Sequence, residues 1–112
     1  MSTDPLDTKA AEKAEQDRKD KLRHTQRLEA DDFKWLMSDP RGRRIMWGLL
    51  ELTGVYRSSF TGNSETFFRE GERNIGLKFV HKIHTHCPEK YATMTKEAAM
   101  RAVDDWIKEN PL

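Results

Sequence analysis

Three histidines and the only cysteine of the chain lie within seven residues, at His81, His84, His86 and Cys87. Imidazole and thiolate groups are ligands that zinc prefers in proteins. On a helix, His81 and His84 are three residues apart, so both rings could reach one metal ion. The sequence has no second ligand pair, such as Cys-x-x-Cys or His-Glu-x-x-His, to complete a zinc site. We therefore predict no metal and no other cofactor, and we keep His81 and His84 as the only metal candidates.

A catalytic centre needs a nucleophile, a base and a stabilising group together, and the sequence does not supply this set. Cys87 follows His86 directly, but no third group is placed to orient the imidazole. Glu51 lies in an apolar segment and is the carboxylate that we expect to be partly buried, where an ion pair with arginine is its usual role. The sequence predicts a protein that is not an enzyme and has no small-molecule substrate.

Four arginines form a second polar cluster, at Arg41, Arg43, Arg44 and Arg57. Their guanidinium groups could bind phosphate or pair with carboxylates of the same or another subunit. The candidate carboxylates are Glu70, Glu72, Asp104 and Asp105. Because 20 Lys and Arg are balanced by 19 Asp and Glu, the net charge is +1 and no broad basic field surrounds the cluster. We predict that these four arginines contact partner proteins, with nucleic acid as a secondary partner.

The composition is polar for a compact domain. The chain has 112 residues, 35% of them charged and 36% hydrophobic, with a mean hydropathy of -0.89. A single cysteine excludes an internal disulfide. No apolar run approaches the ~20 residues of a transmembrane helix, and the polar N-terminal residues are not typical of a signal peptide. We expect a soluble protein that does not bind membranes.

Residues 1–30 differ in composition from the rest and predict a helix with almost no apolar face. Acidic side chains dominate its first half and basic side chains its second half, which complements the helix dipole. The large aliphatic residues of this segment are Leu6, Leu22 and Leu28. A helix of this kind is either a solvated extension or an arm that becomes ordered on a partner subunit. We predict a long charged helical arm.

Residues 31–112 predict a compact helical domain. Asp31 or Asp32 should cap a short first helix. Its buried face is formed by residues at i, i+3, i+4 spacing, namely Phe33, Leu36 and Met37. Trp35 then points away from this face, either as an exposed anchor for a partner or folded back over the arm.

Caps and helix breakers predict three further helices. Asp39 and Pro40 should begin a central helix that ends at Gly54. Asn63 or Ser64 should cap a third helix that Pro88 ends. Thr93 or Thr95 should cap the last helix. Because no segment shows strand alternation, the predicted fold class is all-α: a small helical bundle with a long N-terminal arm.

Apolar periodicity predicts which side chains these helices bury. In the central helix they are Ile45, Met46, Trp47, Leu49, Leu50 and Leu52. In the third helix they are Phe67, Phe68, Ile75, Phe79, Val80 and Ile83. In the last helix they are Ala99, Met100, Val103, Trp106 and Ile107. Glycine inside a helix costs about 0.5–1 kcal/mol relative to alanine, so Gly71 and Gly76 predict close helix–helix approach.

Four sequence motifs carry a family resemblance. Residues 32–37 read D-F-x-x-L-M, residues 40–44 read P-x-G-R-R, and residues 54–60 read G-V-Y-x-x-S-F. A helix rich in Glu, Arg, Asn and Gly follows at residues 69–76. With these motifs, residues 31–92 resemble a family of small tailed-phage proteins encoded among virion structural genes, typified by a small protein of a Bordetella podovirus.

The resemblance implies a role in the phage particle. It implies a non-enzymatic structural or assembly protein, internal to the virion or near its portal or tail, that assembles in several copies. The implied partners are other copies of the chain and portal, tail or ejection components. The implied location is the virion, and the host cytoplasm during assembly. The alternative is a DNA-packaging or DNA-binding accessory protein that uses the Arg41–Arg44 cluster.

Overall fold

The computed structural model describes residues 4–112, which form four helices and no strand. The helices are α1 (Pro5–Ser38), α2 (Pro40–Leu52), α3 (Glu65–His86) and α4 (Pro88–Glu109). The predicted all-α fold with a long N-terminal helix is therefore confirmed. Residues 1–3 of the predicted arm lie outside the described residues.

The chain divides into two compact units, of which one ends at Phe33 and the other runs from Lys34 to Leu112. The first unit consists of most of α1, and nearly all its side chains are exposed. Local pairs support this helix, including an ion pair between Arg18 and Glu15. The second unit contains the end of α1 together with α2, α3 and α4.

Helix α1 continues through Asp31 and Asp32, so the predicted start of a separate helix there is wrong. No glycine or proline lies between residues 6 and 38 to interrupt the helix. Both aspartate side chains are exposed to solvent, where aspartate lowers helix stability only modestly. The carboxylates of Asp31 and Asp32, which suggested an N-cap, therefore lie on the surface of a continuous helix.

The boundaries of α2 agree with the sequence prediction. Asp39 has an extended backbone, and its carboxylate accepts a hydrogen bond from the Arg41 N–H at 2.7 Å, so it is the N-cap. At the other end, the Gly54 N–H donates to the Glu51 carbonyl and the Val55 N–H donates to the Leu50 carbonyl. This pair of bonds is a Schellman motif, and it requires the positive φ of 71° that Gly54 adopts.

Helices α3 and α4 begin differently from each other. Asn63 accepts a hydrogen bond from the Glu65 N–H through its side-chain oxygen at 2.9 Å, whereas Ser64 makes no such bond. Helix α4 starts at Pro88, so the predicted caps at Thr93 and Thr95 are wrong. Both threonine hydroxyls instead donate to backbone carbonyls of the preceding helical turn.

A small core joins the helices of the second unit. Its fully buried side chains are Met37, Met46, Leu50, Ile83 and Met94. Gly76 lies against the end of α2, where an added Cβ would be 2.1 Å from Val55 Cγ2 and 2.2 Å from Thr53 Oγ1. The predicted close approach is confirmed at Gly76. It is wrong at Gly71, where a Cβ would meet nothing within 4 Å.

Candidate protein-interaction surface

Arg43 is buried and connects three helices. Its Nε donates to Oε1 of Glu97 on α4 at 2.5 Å, and its Nη1 donates to the Met37 carbonyl at the end of α1 at 2.9 Å. A guanidinium group suits this position because it can donate in two directions at once. The pairing partner differs from the four carboxylates that the sequence suggested. Arg43 therefore has a structural role inside the domain and is not part of its contact surface.

The other three arginines are exposed. Arg41 and Arg44 flank Arg43 in the first turns of α2, and the structure leaves both at the surface. Arg57 donates from Nη2 to the Glu51 carbonyl at 2.9 Å, so it helps to satisfy the last carbonyls of α2. Glu51 itself is exposed, which corrects the expectation that its carboxylate is partly buried. Two neighbouring arginines thus remain as a surface pair.

Trp35 is 73% exposed at the end of α1. Met37, two residues later, is fully buried. This difference places the indole on the outer side of the helix, as the spacing predicts. Its function as an anchor for a partner stays a prediction.

The histidine cluster does not converge on one point. His81 lies within 3.4 Å of the Thr85 hydroxyl, and His84 packs its ring 4.9 Å from that of Tyr91. Cys87 is buried at the junction of α3 and α4, and this burial raises the pKa of its thiol. Within residues 4–112, no group of three or more His, Cys, Asp or Glu side chains could hold a metal ion.

Aromatic rings join α2, α3 and α4 in a line that the sequence did not reveal. Trp47 stacks on Tyr56 with ring centroids 5.2 Å apart, and the Tyr56 and Tyr91 hydroxyls are 2.7 Å apart. Partial burial raises the pKa of Tyr56, and the hydrogen bond to Tyr91 adds to this rise. Tyr91 in turn meets His84. Each ring contacts the next one, so the line of rings helps to hold the helices together.

Helix α2 has a second apolar face that the core does not cover. Successive helical residues are about 100° apart, so Met46 and Leu50 share the buried side with Arg43. Ile45 and Leu52 lie roughly 180–200° from Arg43 around the helix, and they are 59% and 72% exposed. Their predicted burial is therefore wrong. The α2 face, as we define it, consists of Ile45, Leu49 and Leu52.

Helix α4 also exposes its main apolar stripe. Met94 and Ala98 are buried, whereas every residue from Ala102 onward is exposed. Val103 and Ile107 lie roughly 140–180° from Ala98 around the helix, on the side away from the core. The α4 face, as we define it, consists of Met100, Val103, Trp106 and Ile107. All four are more than half exposed, so their predicted inward orientation is wrong, as it is for Ala99.

Helix α3 shows the same departure from the predicted core in its first half. Of its predicted apolar line, Ile83 is buried, while Phe67, Phe68 and Ile75 are exposed. Periodicity marks which side chains share a face, and it does not mark what covers that face. Exposed large apolar side chains in such numbers are typical of surfaces that bind other molecules.

The second unit is thus a small all-α domain that exposes apolar faces on its helices. Residues 33–96 match the family model described as Bbp19-like phage protein. This match spans more than half of the chain, and the chain belongs to that phage protein family. The predicted resemblance is confirmed, and the matched range contains the four motifs except Asp32, the first residue of the first motif.

Other comparisons add no relatives. No curated protein and no solved structure matches the chain. The family match includes the α2 face and ends before the α4 face. Among residues 4–112, no helix is both long enough and apolar enough to cross a membrane.

Proposed function

We propose that this phage protein is a non-enzymatic structural or assembly component of a tailed-phage virion, and that it acts by contacts with other proteins. Its partners are other copies of itself and components of the portal, tail or ejection apparatus. It resides in the virion, inside the particle or near the portal and tail, and in the host cytoplasm during assembly.

The observation that carries this proposal is the exposure of the α2 and α4 faces. Seven large apolar side chains on two helices of one small domain face solvent. Leaving them there has a hydrophobic cost of about 25 cal/mol for each Å² of apolar surface, which docking on another protein would remove. The family membership supplies the phage context. Exposed Arg41, Arg44 and Trp35 support the proposal as polar and aromatic contacts.

Mass spectrometry of purified virions tests the proposal. The particles are purified on a density gradient, treated with protease from the outside and washed. We expect peptides of the chain in these particles, at a constant number of copies per particle. A phage protein that is abundant in infected cells but absent from virions serves as the control for carry-over. Abundance in infected cells together with absence from particles would reject the virion role. Cross-linking within the same particles would identify the portal, tail or ejection components in contact with it.

The second candidate function is DNA binding, which the exposed Arg41–Arg44 pair favours. Each phosphate neutralised contributes a slope of about -0.9 to log K against log salt concentration. If this function holds, removing both side chains in R41A/R44A should lower the slope for duplex DNA by roughly 1.8. Fluorescence anisotropy of a labelled duplex measures this slope. No binding at low salt would eliminate the DNA-binding function and leave the virion proposal intact.

A further inference from the structure

The α2 and α4 faces lie on opposite sides of the domain. Helices α2 and α4 pack against each other, and the Arg43–Glu97 pair marks the side of α2 that meets α4. The α2 face is on the reverse of α2 from Arg43. Met100, Val103 and Ile107 of the α4 face lie roughly 140–200° around α4 from the buried Ala98, and Trp106 lies about 80° from it, at the edge of the face. A single partner domain therefore cannot cover both faces with one flat contact.

The charges beside the two faces are complementary. Because Arg43 is paired inside the domain, Arg41 and Arg44 are the basic groups that the start of α2 exposes to solvent. At the end of α4, Asp104 lies about 40° around the helix from Met100, so it borders the α4 face. Asp105 and Glu109 lie on the side of Ala98 instead, and Asp105 lines a cavity with Glu51 and Arg57 of the same chain. The start of α2 is also the positive end of its dipole, and the end of α4 is the negative end of its own. Both effects favour placing the beginning of α2 beside the end of α4.

The two faces together expose enough apolar surface for a specific contact. If a large apolar side chain has about 150–250 Å² of surface, the α2 face exposes roughly 300 Å² and the α4 face about 450 Å². Docking one on the other would remove roughly 750 Å² of apolar surface from water. If apolar atoms make up about 60% of the buried surface, this apolar area corresponds to a total interface of about 1,200 Å². That value is the lower bound for a specific complex.

We propose that the α2 face of one copy docks onto the α4 face of the next copy, with Arg41 and Arg44 beside Asp104 and the negative end of that α4. The inference rests on the proposed function and deepens it by naming one partner and its surface. Because the two surfaces differ, the contact is head-to-tail. A dimer formed in this way keeps an unused α2 face at one end and an unused α4 face at the other. Repetition of the contact therefore produces a ring if the rotation closes and a filament if it does not.

Two complementary variants of the full chain test this contact. I45E/L52E disrupts only the α2 face, and V103E/I107E disrupts only the α4 face. Sedimentation velocity should show assemblies larger than a dimer for the unmodified chain, and monomers for each variant alone. An equal mixture of the variants should form a dimer, because one retains the α4 face and the other retains the α2 face. Far-UV circular dichroism confirms that both variants keep their helices.

Several results would overturn the head-to-tail contact. One is an unmodified chain that stays monomeric at high concentration, and another is a mixture of the two variants that stays monomeric. A third is an I45E/L52E variant that still dimerises while V103E/I107E does not. The last result would mean that the α4 face pairs with itself. The matched control is F67E, since Phe67 is equally apolar and 82% exposed on α3. F67E should assemble normally, and loss of assembly in F67E would also contradict the assignment.

Charge reversal provides a second test that leaves the apolar faces intact. R41E/R44E should weaken association about tenfold, and mixing it with D104R should restore part of the lost association. No recovery in the mixture would contradict the proposed pairing of these ends. Virions that contain the chain, combined with failure of these tests, would overturn only the head-to-tail contact. Virions that lack the chain would overturn the virion role whatever the chain does in solution.

Discussion

Replacing Arg43 with alanine should lower the free energy of unfolding by about 3 kcal/mol, because it leaves a largely buried carboxylate without its partner. The Glu97 side chain is 29% exposed and the Arg43 side chain 9% exposed, so water can compensate only in part. The substitution also removes the donor to the Met37 carbonyl at the end of α1. Urea unfolding followed by circular dichroism measures the loss.

Arg44 provides the matched control for this experiment. It has the same chemistry one position along the helix, and its side chain is exposed. Arg44→Ala should change the free energy of unfolding by no more than about 0.5 kcal/mol. Equal losses in the two variants would show that the Arg43–Glu97 pair contributes nothing specific. R43M/E97M should lose less stability than the sum of its single substitutions, because no unpaired charge remains.

Replacing Gly42 with alanine should destabilise the protein by about 3 kcal/mol, at the upper end of the range for overpacking. An added Cβ would lie 1.8 Å from the Leu36 carbonyl oxygen and 2.7 Å from its carbonyl carbon. These atoms are backbone, so they cannot move aside as the tip of a side chain can. The end of α1 would have to shift away from α2, which disturbs the buried Met37 beside it.

Gly48→Ala in the same helix should have the opposite effect. No atom lies within 4 Å of the position that its Cβ would take. Alanine should therefore stabilise the helix by about 0.5–1 kcal/mol through its better helix propensity. Thermal unfolding of both variants distinguishes a steric effect from a general response of α2 to alanine. A Gly42→Ala variant as stable as Gly48→Ala would contradict the close packing of α1 on α2.

Local signals in the sequence predicted most of the helix boundaries. Asp39, Pro40 and Gly54 act through their own backbone geometry and nearest neighbours, so short windows of sequence contain the information. Asp31 and Asp32 carry a cap signal as well, but the continuing helix overrides it. A cap residue permits a helix to begin and does not force the preceding helix to end.

The buried surface was harder to predict, because burial depends on what lies opposite. The stripe from Met100 to Ile107 is the clearest apolar pattern in α4, yet the domain packs through Met94 and Ala98 instead. The Arg43–Glu97 pair joins residues 54 positions apart, and no local pattern connects them. The spacing did contain a signal that Arg43 is buried, because Arg43 lies at i, i+3, i+7 spacing with Met46 and Leu50.

The P-x-G-R-R motif acquires a physical explanation from the structure. Pro40 begins the helix, Gly42 permits contact with the α1 backbone, and Arg43 forms the buried pair. Arg44 completes the motif at the surface. Three of the four specified positions in the motif thus serve the fold, one by beginning the helix and two by packing it. The fourth is free to serve contacts with other molecules.

Two of the three connections between helices are one residue long, at Asp39 and Cys87, and the third spans residues 53–64. Most contacts in the described chain therefore join residues that are near each other in sequence. A chain of this topology has little loop entropy to lose before its contacts form, and helical proteins with low contact order fold within microseconds to milliseconds. We therefore expect closure of the 53–64 segment, which brings α2 onto the α3–α4 pair, to limit the folding rate of the domain.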